Sequence, residues 1–234
     1  RVKRGGFNYS PNSALIDNTP NAYISMGITA ENVANKYSIS RNEQEDFALN
    51  SHRKASKAYN KGYMKEEIVP VNSPDGTLSR DECIRENSTI ESMQKLKPAF
   101  LDTGTVTAAT SSPLTDGAAF TIICSEDYAL KNNMNPLAKI IGTAVTGCEP
   151  ELMGIGPIEA TIKALKRSKI SLNDLDVIEL NEAFSSQSIA VINSLGLDTE
   201  KVNIDGGALS IGHPLGASGA RITGKAASIL NRVD

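Results

Sequence analysis

Residues 205–221 read DGGALSIGHPLGASGAR and place five glycines around His213, one of two histidines in the chain. Glycine adopts backbone conformations closed to other residues and lets a ligand approach the main chain closely. The stretch predicts a strand-end loop that delivers an imidazole to a cleft and then enters a helix, whose first N–H groups support negative charge. A glycine-rich turn with a structural histidine is the alternative. The spacing matches neither the dinucleotide fingerprint nor a P-loop.

A second stretch, NEAF at residues 181–184, follows the short β-like run 176–180 and opens a helical pattern that extends to Leu195. An asparagine at such a corner commonly caps a helix. From residue 118 onward, strand candidates alternate with helix candidates, which predicts parallel βαβ units with ligands bound beyond the carboxyl ends of the strands. Asn181 and His213 both follow such ends, so we expect them to converge on one site. The predicted strands are 118–124, 138–145, 177–180 and 202–204, and the later helices are 157–167, 183–195 and 217–231.

The first half of the chain is less regular. Residues 1–20 lack periodicity and indicate a surface loop, and a short helix fits 30–37. Ser40 and Glu43 form a capping box at the start of a longer helix that Gly62 ends, and His52 on this helix is predicted to be a solvated surface residue. A strand is expected at 68–72. Residues 79–103 indicate a binding loop or a disordered linker.

Composition is that of a globular protein, with 40% hydrophobic and 22% charged residues. No apolar run approaches the roughly 20 residues that span a bilayer. A formal net charge of -3 argues against nucleic acid as a partner. The three cysteines form no CxxC pair, which favours a reducing compartment.

NEAF followed by GGALSIGHPLGASGAR resembles the thiolase family, whose members make or cleave the carbon–carbon bond of 3-ketoacyl-CoA. The resemblance implies an α/β, thiolase-like fold of layered αβαβα architecture, of which this chain holds the loop domain and most of the C-terminal half. It implies a CoA-binding loop domain at 1–112, a returning segment of the N-terminal domain at 113–136, and the C-terminal domain at 137–234. Further matches are MGITAENVA (26–34), KLKPAF (95–100), GTVTAATSSPLTDGAA (104–119) and MGIGP (153–157).

The resemblance also implies residue roles. His213 would activate the nucleophile and donate to the thioester oxygen, and Asn181 would hold a water that supplies another donor. Ser112 and Ala108 would contact the pantetheine arm, with Arg85 near the nucleotide end of CoA. Four apolar residues would line the acyl and pantetheine pocket, although ordinary core packing is the alternative for the last three: Met26, Phe100, Met153 and Phe184.

Cys83, Cys124 and Cys148 are expected to be inert, because none stands at a position that resembles a family nucleophile. Both family cysteines are expected before Arg1 and after Asp234, so the chain alone is expected to be inactive and to associate through uncovered apolar surface. The parent is expected to be an acyltransferase of fatty acid and lipid metabolism. Its expected substrates are CoA and acyl-CoA, and no metal or redox cofactor is expected.

The expected location is the cytoplasm or an organellar matrix, and the expected assembly is a homodimer or homotetramer without nucleic acid or membrane partners. Two alternatives stay open at this point. One is a condensing enzyme of the same superfamily, and the other is a non-catalytic homologue that binds CoA or lipid. The resemblance fixes neither the acyl chain length nor the direction of the reaction.

Overall fold

The computed structural model describes residues 11–233. In these residues two short strands and nine α-helices follow one another, joined by loops and four 3-10 turns. The strands are β1 (Val71–Ser73) and β2 (Gly76–Leu78). The helices are α1 (Ser13–Asn18), α2 (Met26–Lys36), α3 (Arg41–Asn60), α4 (Ile90–Gln94), α5 (Glu126–Lys131), α6 (Gly156–Ser168), α7 (Ser185–Leu195), α8 (Ala208–Ile211) and α9 (Ser218–Val233). The 3-10 turns are Pro20–Tyr23, Ala108–Thr110, Pro150–Ile155 and Leu172–Asp174.

Helix α3 is the longest element and begins at the predicted capping box. The Ser40 hydroxyl accepts a hydrogen bond from the backbone N–H of Glu43, whose carboxylate accepts one from Ser40 N at 2.7 Å. One face of α3 is buried and carries Ser51 and His52. The prediction that His52 is solvated is wrong. Its ring is only 5% exposed, because it packs beneath the 79–103 segment and accepts a hydrogen bond from Arg85 N.

The core lies where α7 packs against α2 and α3, and where α3 packs against α8. Helix α7 is buried over most of its circumference. Its side chains are therefore apolar or polar and uncharged, and they form no charged stripe facing solvent. Phe47 of α3 contacts each of the three apolar clusters and joins them. Their buried members are Leu180, Val191, Ile192, Leu195 and Val202 in the first, Val33, Ile39, Ile189 and Ala190 in the second, and Ala48, Leu49, Met93 and Leu209 in the third.

The helix predictions agree with the structure more closely than the strand predictions. The pattern at 183–195 forms α7, the pattern at 217–231 forms α9, and Pro157 lies in the first turn of α6. Ser125 caps α5 by accepting from Tyr128 N. Helix α8 was not predicted, and it turns part of the glycine-rich stretch into one helical turn. None of the helices within 11–233 has the length and apolar character needed to cross a membrane.

The predicted strands 118–124 and 138–145 are wrong as elements of this structure, which has no regular secondary structure at these residues. The physical reason is that a strand needs a neighbour, and the described residues provide none. Phe120 is consequently 94% exposed. Strands 177–180 and 202–204 reduce to one parallel bridge between Ile178 and Val202. The strand expected at 68–72 is displaced to β1, which pairs with β2 in an antiparallel hairpin.

Candidate active site

Asn181 and His213 meet side chain to side chain. The bridge between Ile178 and Val202 aligns two parallel segments, and the chain leaves the first at Asn181 and the second towards α8 and His213. Asn181 Nδ2 lies 3.4 Å from His213 Nε2. The prediction that these two side chains converge is therefore confirmed, while their catalytic roles stay predictions. Asn181 does not cap α7, because Phe184 occupies the N-cap position.

The hydrogen bonds of His213 assign its protonation. Its Nδ1 lies 2.6 Å from Ser218 Oγ, and that hydroxyl donates to the carbonyl of Pro214. With the serine proton on the Pro214 carbonyl, a neutral ring that donates from Nδ1–H leaves the Nε2 lone pair facing the amide nitrogen of Asn181, and this is the tautomer that a base at Nε2 requires. Burial lowers the pKa of His213, and the charge of Arg221 lowers it further. The imidazole is therefore neutral at pH 7 with its basic nitrogen at the site.

Two glycines bring the loops close enough for this contact. Gly212, directly before His213, has φ 99°, a conformation that side chains disfavour, and a Cβ there would lie 2.7 Å from the side chain of Thr115. Gly207 passes over the carboxylate of Glu182, where a Cβ would lie 2.3 Å from the carboxyl carbon. The glycine-rich stretch is thus required for close approach within the protein as well as for access by a ligand.

An open depression lies beside His213. It has a volume of about 550 Å³ and is lined by residues 115–119 and 214–217. Within the site, Asn181 Oδ1 is buried and has no hydrogen-bond partner among the described residues. This oxygen is therefore an acceptor that the described residues leave unpaired. In residues 11–233 no group of three histidine, cysteine or acidic side chains is arranged to hold a metal ion.

The loop of Ala108 and Ser112 is attached to the Asn181 loop. Ser112 N donates to the carbonyl of Ala183 at 2.9 Å, and Ser111 forms an antiparallel bridge with Phe184. Ala108 opens a 3-10 turn and is exposed, and Ser112 is half-buried. The structure thus brings the predicted pantetheine contacts next to the predicted catalytic asparagine.

Three of the four predicted pocket residues are exposed. Phe100 meets Phe184 edge to face, with ring centroids 6.0 Å apart. The Phe100 ring also lies directly over Gly27, beside Met26, while Met153 lies on the 3-10 turn Pro150–Ile155. Phe184 is half-buried, whereas Met26, Phe100 and Met153 are exposed, so core packing within the described residues does not account for these three.

The comparisons with protein families decide the identity. The model of the thiolase N-terminal domain matches residues 9–127, and that of the thiolase C-terminal domain matches residues 134–234. The chain belongs to the thiolase family. A "Probable acetyl-CoA acyltransferase" of Staphylococcus aureus (strain COL) is 51% identical over 202 residues, which are 84% of this chain and 51% of the relative. This thiolase chain therefore spans about half the length of the curated relatives it matches.

Solved thiolase structures share the fold, which confirms the predicted thiolase-like α/β class. Human mitochondrial 3-ketoacyl-CoA thiolase superposes with a TM-score of 0.82 at 40% identity, covering all of this chain and 60% of the human one. The same human enzyme is also known in complex with CoA. The acetyl-CoA acetyltransferase of Bacillus anthracis superposes with a TM-score of 0.85 at 40% identity, covering all of this chain and 61% of that one.

Arg85 of the thiolase chain lies in a separate depression of about 670 Å³, formed by residues 80–82, 84–88 and Ser92. Helix α3 holds this segment in place. His52 Nδ1 accepts from Arg85 N at 3.1 Å, and the Tyr59 hydroxyl donates to the carboxylate of Asp81 at 2.9 Å. The depression carries acidic as well as basic side chains. The structure does not bring Arg85 into the group formed by Asn181 and His213.

The three cysteines do not join the Asn181–His213 pair. All three are free, and none is hydrogen-bonded to His213, whose partners in the described structure are Asn181 and Ser218. Cys83 is half-buried, and burial raises the pKa of its thiol, which lowers its reactivity. Cys124 and Cys148 are exposed.

The sequence interpretation missed several polar residues that are buried around the site. Glu182 is the second letter of NEAF, so its motif position was a signal, but its burial was not foreseen. Ser51 and Asn203, which hydrogen-bond to it, lie in segments with no motif. Glu31 was also missed. Its carboxylate accepts from the backbone N–H groups of Thr105 and Val106 and so anchors the loop before Ala108 to α2.

Proposed function

We propose that the complete protein containing this chain is a thiolase that transfers an acyl group between CoA and a 3-ketoacyl-CoA. The observation that carries the proposal is the pairing of His213 Nε2 with Asn181 Nδ2 at 3.4 Å, next to the loop of Ser112. The names of similar proteins support it, since they describe an acetyl-CoA acyltransferase, an acetyl-CoA acetyltransferase and a 3-ketoacyl-CoA thiolase.

The neutral imidazole suits the first step of this reaction. Nε2 of His213 takes the proton of a thiol, and the thiolate attacks the 3-keto carbon of the substrate. The bond between that carbon and C2 breaks, the second family cysteine gives its proton to C2, and acetyl-CoA leaves while the acyl group stays on the nucleophilic sulfur. The second cysteine, now a thiolate, then takes the proton of the thiol of a second CoA, which attacks the acyl group; the nucleophilic sulfur leaves and regains its proton from His213.

The same two residues stabilise the negative charge that develops on the substrate oxygen. Protonated His213 donates from Nε2, and Asn181 orients a water that supplies the second donor. A donor of this kind lowers the barrier by about 3 kcal/mol, which is roughly a factor of 10² to 10³ in rate. The nucleophilic cysteine is none of the three cysteines in this chain, and Ser112, Ala108 and the exposed apolar residues bind the pantetheine and acyl parts of the substrate. Arg85 contacts the nucleotide end of CoA.

The remaining features of the proposal concern the cellular setting. The enzyme works in fatty acid metabolism as a homo-oligomer, with CoA and acyl-CoA as substrates and without a metal or redox cofactor. Its location is cytoplasmic. The free state of all three cysteines supports a reducing compartment.

The test is thiolysis of acetoacetyl-CoA and of longer 3-ketoacyl-CoA substrates by the complete protein, followed as substrate loss. His213→Ala is expected to lower kcat by 10² to 10³, and Asn181→Asp by a similar factor because it replaces an amide donor by a carboxylate. Asn132→Asp changes an exposed asparagine at the end of α5 and should leave kcat unchanged. Failure of the wild-type protein to consume any 3-ketoacyl-CoA, or full activity of His213→Ala, would contradict the proposal.

A further inference from the structure

The carboxylate of Glu182 ties three separate segments together beneath the Asn181–His213 pair. Its side chain is only 2% exposed. It accepts hydrogen bonds from Ser51 Oγ at 2.6 Å, Asn203 Nδ2 at 2.7 Å and Leu209 N at 3.2 Å. These donors come from α3, from the loop after the Val202 bridge and from α8. The buried carboxylate of Glu182 therefore connects the loop of Asn181 with Asn203 and α8, the two parts of the chain that lead to His213.

We propose that Glu182 is a positioning residue that fixes the distance and orientation between Asn181 and His213. The two side chains do not hold each other, since 3.4 Å is at the long limit for a hydrogen bond and Asn181 Oδ1 has no protein partner among the described residues. Their relative position depends instead on the backbones that carry them. Glu182 is the residue directly after Asn181 and contacts the other backbone.

Asn203 extends this control up to Asn181. The backbone ladder ends with Asn203 N donating to Ile178 O. Beyond it, the Asn203 side chain replaces the ladder, because its Oδ1 accepts from Leu180 N and its Nδ2 donates to Leu180 O, both at 2.8 Å. The same Nδ2 donates to Glu182. The two residues that flank Asn181 in sequence are therefore both fixed by one carboxamide.

Ser51 fixes the His213 side in the same way. Its hydroxyl donates to Glu182 and accepts from Gly207 N at 3.1 Å. Gly207 is the residue before α8, and α8 leads through Gly212 to His213. A shift of the Glu182 carboxylate is therefore transmitted to both catalytic loops. Misplacement of reacting groups by about 1 Å can cost about 10² in rate.

Glu182→Gln is the sharpest variant, because it keeps the size of the side chain. All three groups that face the carboxylate are donors, so the amide nitrogen of glutamine must oppose one of them. We expect kcat of the complete thiolase to fall at least 10-fold with KM for CoA unchanged. The acid limb of the pH–rate profile should not move, because Glu182 is not among the charges that shift the pKa of His213.

Glu45→Gln is the matched control. Glu45 is a fully buried carboxylate on the same helix α3, and its hydrogen-bond partner among the described residues is Arg41, not a group of either loop. It should lose stability but keep kcat per folded molecule. Ser51→Ala removes one donor and keeps the carboxylate, so it should lower kcat by less than Glu182→Gln does. This variant tests the positioning role if Glu182→Gln does not fold.

A crystal structure of the Glu182 or Ser51 variant gives a readout that does not rest on the proposed function. We expect the Asn181 Nδ2 to His213 Nε2 distance to exceed 4 Å in at least one of them. An unchanged distance together with wild-type kcat would overturn the positioning role. An inactive wild-type protein would overturn the proposed function instead, so the two failures are distinguishable.

Discussion

Replacing Glu179 by glutamine is expected to stabilise the folded chain at neutral pH and to have no effect near pH 4. Both carboxyl oxygens of Glu179 are buried without a hydrogen-bond partner among the described residues. Burial raises the pKa of this carboxyl to about 8 from 4.5, although the charges of Arg221 and Lys225 act in the opposite direction. At pH 7 the folded chain therefore keeps this proton, whereas the unfolded chain has released it.

The sign and size of the effect follow from this difference. Between pH 4.5 and about 8 the folded state binds more protons, so the free energy of unfolding falls as pH rises. Each pH unit in this range lowers the free energy of unfolding by about 1.4 kcal/mol. Because pH 7 lies roughly 2.5 units above the unfolded-state pKa of 4.5, the total loss at pH 7 is about 3 kcal/mol. Glutamine has nearly the shape of the protonated acid and no proton to release. Glu179→Gln should therefore recover up to this amount at pH 7 and nothing below pH 4.5.

Urea unfolding followed by far-ultraviolet circular dichroism at pH 4, 5.5 and 7 measures this dependence. Glu200→Gln, which changes an exposed carboxylate, serves as the control and should show no comparable trend. A gain for Glu179→Gln that is the same at all three pH values would refute the reasoning. So would a loss of stability at pH 7.

Three further outcomes are expected. Asp205→Asn should lower the free energy of unfolding at pH 7 by about 3 kcal/mol in urea titrations, because Lys225 and Arg232 lose the carboxylate that pairs with both. Burial raises the pKa of Asp205, but its bonds to Arg232 and Lys225 lower it more, so the folded-state pKa is below 3.8. The stability contributed by Asp205 should therefore be present above pH 3.8 and disappear as the pH falls through the lower folded-state pKa. An equal loss of unfolding free energy for Asp205→Asn at about pH 2 and at pH 7 would contradict this. The purified 234-residue chain should self-associate in sedimentation velocity because Phe120 and Val145 are exposed in apolar segments, and a stable monomer would disprove this. The same chain should not thiolyse acetoacetyl-CoA, since no cysteine is hydrogen-bonded to His213 in the described residues, and measurable turnover would show that the nucleophile is misassigned.

Local signals in the sequence predicted local structure well. The Ser40 capping box depends on residues three positions apart, so the pattern contains all the information needed. The convergence of Asn181 and His213 was also predictable, because both follow strand-like runs that lie in parallel.

Long-range contacts were the part that the sequence did not reveal. His52 stands among polar neighbours, and its burial depends on Arg85, which lies 33 residues away. Glu182 is an acidic residue whose burial is compensated by donors distant in sequence, among them Ser51, 131 positions earlier. The prediction of a strand at 118–124 is wrong for a related reason. The apolar pattern is that of a strand, but strand formation also needs a neighbouring strand, which the local pattern does not reveal.

Adjacent residues of helix α3 have a consequence for protein engineering. Ser51 holds the loops of Asn181 and His213, and His52, one position later, holds the segment of Arg85. Under the proposed function, a library designed to alter acyl-chain preference should therefore leave these two positions unvaried. Diversity is better introduced at Met26 and Met153, whose exposed side chains can change without disturbing that shared scaffold.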